Sequence, residues 1–76
     1  MEIELSKLKV GEVATIKNIK GDTHLVRRLF QLGILPNNDI KMLSISPFKN
    51  SFIISIKGYC LAVKKNILEK IMVEKL

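Results

Sequence analysis

A mainly β fold with short helices, wound into a small closed or nearly closed barrel, is what three features of this sequence predict. Four or five short runs rich in Val, Ile and other apolar residues are separated by turns containing Gly, Pro or Asn. Only one stretch of any length has helical spacing, and a glycine closes it. The chain has 76 residues, and a chain of that size buries only about 60% of its unfolded surface, which leaves one core and no second module. Residues 1–76 therefore read as a single domain, and closing its sheet removes edges that an open sheet would leave unpaired.

The lead-in MEIELSKLKVGE docks Leu5 and Leu8 on that core and turns at Gly11. VATIKNIK, Val13 to Lys20, is the first strand; its apolar side chains do not alternate strictly, but β-branched residues dominate and Gly21-Asp22 ends it. Asp22 or Thr23 can cap the helix that follows, because either side-chain oxygen accepts from an amide left unpaired in the first turn. Within THLVRRLFQLG, Leu25, Leu29 and Leu32 fall at i, i+4 and i+7, with Val26 and Phe30 beside them. That stripe faces the core and leaves Arg27, Arg28 and Gln31 at its edge or outside. Gly33 suits the left-handed position after a helix, and Pro36 cannot continue one.

The remainder is expected to be mostly strand. In IKMLSIS, Ile40 to Ser46, the apolar phase shifts between Met42 and Leu43, as at a bulge. SPFKNS is a polar turn with an exposed-looking Phe48, and SFIISIK then puts Phe52, Ile54 and Ile56 on one face. Lys57-Gly58 turns that run into YCLAVK, completing a hairpin. NILEKI, Asn66 to Ile71, has a capping Asn and helical spacing over barely two turns, and MVEKL returns as a last strand.

The chain carries 13 Lys or Arg, 7 Asp or Glu and one His, a net charge of +6. Residues 1–39 hold six basic against five acidic side chains (+1), and residues 40–76 hold seven lysines against two glutamates (+5). Such a field suits nucleic acid, an anionic membrane surface or an acidic protein patch. The lysines alternate with apolar residues, however, which is also how strands with one solvated face look. The single cysteine, Cys60, forms no internal disulfide and is expected to be a small buried thiol. The N-terminal stretch lacks a signal-peptide apolar core, and no run approaches the ~20 apolar residues of a membrane span, so a cytoplasmic protein is expected.

Catalysis by a nucleophile needs an activated group with a base in reach. His24 near the start of the helix and Cys60 in a core strand are not expected to meet, and the acids lie mostly at turns and termini, so no enzymatic role is expected. Neither a C-x2-C nor an H-x3-H pair is present. His24 with Asp22 makes at best a weak, open site, and no metal site or cofactor is expected. The isolated glycines match no phosphate-cradling loop. Of the aromatic residues, Phe30 and Phe52 look buried, which leaves Phe48 and Tyr59 as a thin platform for stacking bases. The same two rings would suit a peptide groove if exposed, or would fold back on the core. Arg27-Arg28 reads as an anion clamp or as the solvated rim of the helix.

The order Leu5, Leu8, Gly11, then Ala14-Thr15-Ile16, Arg28-Leu29, Leu32-Gly33-Ile34 and Pro36, and finally Ile56, Gly58, Leu61-Ala62-Val63 and Ile71 to Val73, resembles the FeoA family, the small cytosolic component of bacterial ferrous iron transport. The resemblance covers almost the whole chain. It implies an SH3-like barrel and an accessory, non-catalytic role beside FeoB, the membrane GTPase that moves ferrous iron; attachment to the membrane would come through that partner, and self-association is left open. The usual Pro-Gly of the turn is Pro36-Asn37 here, and the Gly-rich hairpin tip is Phe48-Lys49-Asn50-Ser51. The expected partner-binding residues are Arg28, Leu32 and Ile34, at a corner where apolar residues sit beside arginines able to orient an acidic partner. A basic nucleic-acid-binding barrel, or the barrel that ends some metal-dependent repressors, is the alternative.

Overall fold

Six strands form one antiparallel sheet in the order β1-β6-β2-β3-β4-β5. A computed structural model describes all residues, 1–76. The strands are β1 (Glu2–Glu4), β2 (Val13–Ile19), β3 (Asp39–Ile45), β4 (Ser51–Ile56), β5 (Tyr59–Lys64) and β6 (Ile71–Lys75). A nine-residue helix, α1 (Thr23–Gln31), links β2 to β3, and a four-residue helix, α2 (Lys65–Leu68), links β5 to β6. The sequence predicts four or five strands; the additional one is β1, which pairs Ile3 with Val73 of β6.

Two bulges explain why the strand patterns are irregular. The β2–β6 register shifts between Ile16 and Asn18, so Ala14 and Ile16 face inward and Ile19 returns to the core side after the exposed pair Lys17 and Asn18. The β3–β4 register shifts between Met42 and Ser44, at the phase break read from the sequence. Each extra residue bends its strand and increases the twist, and such bends let a sheet wrap around a core. The terminal strands β1 and β5 are not paired with each other. The inner face supplies most of a single cluster of 14 buried residues, all apolar.

Loops and helices complete that cluster. Leu5, in a short 3-10 turn over Leu5–Lys7, and Leu8 are buried as expected. Asp22 is the cap of α1, its Oδ1 accepting from the Leu25 amide at 2.8 Å. α1 buries Leu29 and half-buries Leu25 and Val26, but Phe30 is 43% exposed, against the expectation from periodicity. The second helix begins at Lys65 with Lys64 as its cap and no side-chain cap bond, so Asn66 is not the cap. No helix is long and apolar enough to cross a membrane.

The hairpin between β4 and β5 turns on Lys57 and Gly58, both at positive φ, the conformation that two-residue hairpins favour. Its register sets Phe52, Ile54 and Ile56 against Val63, Leu61 and Tyr59 on the inner side, and Ser55 against Cys60 on the other. Cys60 is therefore exposed rather than a core thiol.

Candidate functional site

The corner that follows α1 is a Schellman motif. The Gly33 amide bonds to the Phe30 carbonyl at 3.0 Å and the Ile34 amide reaches back to the Leu29 carbonyl at 2.9 Å, with Gly33 at φ +90°. This geometry folds Ile34 onto Leu29, and Ile34 is fully buried. The expectation that Ile34 offers a contact surface is thus corrected: the apolar residue two after the capping Leu32 belongs to the core because the motif turns it inward. Leu32, two residues earlier, stays 41% exposed. After Ile34, a turn through Pro36 and Asn37, the latter at φ +75°, is closed by the Asn38 amide on the Leu35 carbonyl, and the Asn38 side chain donates to the Gly33 carbonyl at 2.8 Å.

Beside this corner lies an apolar groove of about 240 Å³. One wall is α1 and its cap, with Leu25, Arg28, Leu29 and the capping Leu32; the other is β5, with Ala62, Val63 and Lys64, and Ile67 of α2 closes one end. No carboxylate lines it. Arg28 and Leu32 are brought together here, and Arg27 faces the other flank of the helix, with Val26 and Phe30 in a shallower depression. Neither arginine takes part in an ion pair. β5 has no strand on its outer side. Pairing alternates from Ile56↔Tyr59 at the turn, so Cys60, Ala62 and Lys64 direct their amides toward that open edge. An edge with free amides beside an apolar, cation-rimmed groove is equipped to take an extended or helical peptide with acidic residues at its margin.

Arg28 and Leu32, two of the residues expected from the sequence, line this groove, whereas its β5 wall is not among the expected residues. The inward set Phe52, Ile54 and Ile56, carried through a two-residue turn, is the signal that assigns Ala62 to the outside.

The remaining candidates are dispersed. His24 is exposed, and Asp22 beside it is engaged by the Leu25 amide. No three His, Cys, Asp or Glu side chains converge. Phe48, 88% exposed, sits at the β3–β4 tip, whereas Tyr59 opens β5, its hydroxyl only 3.0 Å from where a β-carbon on Gly33 would stand. The six residues of β4 separate the two rings by roughly 20 Å. They form no common stacking platform.

Comparison with known proteins gives a consistent result. The family model described as "FeoA domain" matches residues 3–75. A crystal structure of an iron uptake regulatory protein (FeoA) is 30% identical, with a TM-score of 0.91 and 100% of both chains covered. A FeoA from Stenotrophomonas maltophilia, solved with zinc and described as a prokaryotic SH3 domain protein, is 17% identical at a TM-score of 0.82, over 95% of this chain and 89% of that one. A manganese-dependent transcriptional repressor shares the fold at 19% identity and a TM-score of 0.90, this chain covering 37% of that protein. No curated protein sequence matches.

Proposed function

The chain belongs to the FeoA family, and on that premise we propose that it is a non-enzymatic accessory protein of ferrous iron transport, docking in the cytoplasm on the soluble part of the membrane GTPase transporter FeoB. The observation that carries this reading is the groove between α1 and β5. Exposed apolar surface from Leu32 and Ala62 lies there beside Arg28 and Lys64, with no neutralising carboxylate. Burial of such surface supplies affinity, while the cations steer and orient an acidic partner. Arg28 and Leu32 are the contact residues; Ile34 supports them from the core.

Binding of the purified cytoplasmic part of FeoB tests the reading. Leu32→Asp is expected to weaken binding roughly 10-fold to 100-fold, since it puts a desolvated charge at an apolar contact. Arg28→Glu is expected to weaken it roughly 10-fold and to reduce its dependence on salt. Equal affinity of the natural chain and both variants would remove the groove from the docking site.

A further inference from the structure

A second concave surface lies between the lead-in turn and the β3–β4 hairpin tip. It is a cleft of about 470 Å³ whose walls carry Lys7, Lys9, Lys49 and Lys65, with Val10 on its rim. No carboxylate lines it. Of the nearby acids, Glu4 accepts from the Ser6 hydroxyl, and Glu69 lies 4.0 Å from Lys65 in an exposed pair of little strength. Glu12 accepts from the Lys9 amide at 2.7 Å and pairs with Lys75 at 3.1 Å, and these contacts, the amide first, hold its carboxyl below the usual range. The lysines of the cleft are left with a net positive field.

The hairpin tip adds apolar surface to that charge. Phe48 is 88% exposed and Val10 57%. The tip is pinned: the Ser46 hydroxyl accepts from the amides of Asn50 and Ser51 and donates to Asn50 Oδ1, and the Lys49 amide bonds to the Ser46 carbonyl. The Lys65 amide ties α2 to the same loop through the Asn50 carbonyl. Phe48 therefore projects from a fixed convex tip with Lys49 beside it, instead of lining a concave wall.

We propose that this surface binds an anionic lipid bilayer directly, with Phe48 entering the headgroup boundary and Lys7, Lys9, Lys49 and Lys65 resting on the acidic headgroups. Exposed apolar side chains flanked by cations are the chemistry of interfacial binding. All four cations are lysines, point charges on flexible stems that suit laterally mobile headgroups better than a partner of fixed geometry, for which the arginine fork is the matched group. The single outward ring suits insertion, whereas a nucleic-acid strand needs successive stacking rings.

Sedimentation with protein-free vesicles of phosphatidylcholine, with and without phosphatidylglycerol, tests this independently of any transporter. The full chain is expected to bind only the vesicles containing phosphatidylglycerol, and binding should fall with salt. Removing a cleft lysine should cost roughly fivefold each, so Lys9→Glu with Lys49→Glu should weaken binding at least 25-fold by the same scale. Phe48→Ser should weaken it roughly 10-fold. Lys20→Glu with Lys41→Glu, an equal charge change outside the cleft, should cost far less. Lack of binding to anionic vesicles, an equal loss in the two charge-reversed pairs, or retention on DNA without retention on anionic vesicles would each overturn the proposal. Circular dichroism of the variants confirms that they remain folded.

Discussion

Gly33→Val is expected to lower the unfolding free energy by about 3 kcal/mol, and Gly33→Ala by about 2 kcal/mol. Two causes add at this residue. Its φ of +90° is strained for any residue with a β-carbon. The added atom would also stand 3.0 Å from the Tyr59 hydroxyl, so the ring must give way. Gly11 supplies the internal control: it has the same φ of +90° but open space around the missing side chain, so Gly11→Ala should cost only the backbone part, about 1 kcal/mol. Tyr59→Phe combined with Gly33→Ala should recover part of the difference, because the phenyl ring lacks the crowded oxygen. Urea denaturation of these variants measures each contribution. A Gly33→Ala chain as stable as the natural one would contradict the Schellman corner on which the position of Leu32 depends.

Truncating the centre of the core has a larger effect. Ile54→Ala should cost about 2–5 kcal/mol, since the side chain is fully buried and the rigid sheet around it cannot collapse into the space. For a chain of 76 residues the whole stability is on the order of 4–11 kcal/mol. The variant should therefore lose a large share of its stability and unfold at a markedly lower temperature. Ile54→Val removes one methyl group and should cost about 1 kcal/mol, leaving the fold intact. Thermal unfolding followed by circular dichroism separates the two; losses below about 0.5 kcal/mol for the alanine variant would place Ile54 outside a close-packed core.

Much of this architecture is legible in the residues, and the failures have physical causes. Asp22, the Leu25/Leu29 spacing and Gly33 mark α1 because caps and helical spacing act over a few residues. The phase break at Met42 and Leu43 marks a bulge because inward and outward positions must alternate elsewhere. β1 has no local signal because Glu2–Glu4 gains its strand form only by pairing with β6, some seventy residues away. Phe30 is misread because periodicity locates the centre of an apolar stripe and not its width: the core takes in Leu29, half-buries Leu25 and Val26, and leaves Phe30 at the surface.

The candidate site was half legible for the same reasons. That Arg28 and Leu32 share one corner is legible because a helix end with apolar and cationic residues has a local signature. Ile34 reads as a surface residue because a residue in a turn looks exposed until the backbone bonds of the corner fold it inward. Ala62, Lys64 and the open edge of β5 depend on strand order, which is a property of the whole sheet. The apolar run around Cys60 points to a buried thiol, while the register of its own hairpin puts it beside Ser55 on the outside.

The most direct test of docking is a map of amide chemical-shift changes in the labelled chain as the cytoplasmic part of FeoB is added. Changes are expected to concentrate on Leu25 and Arg28 of α1, on the capping Leu32, and on Cys60, Ala62 and Lys64 of β5, with β2 and β6 unmoved. Changes concentrated on β2 and β6, with α1 and β5 silent, would contradict docking at this groove.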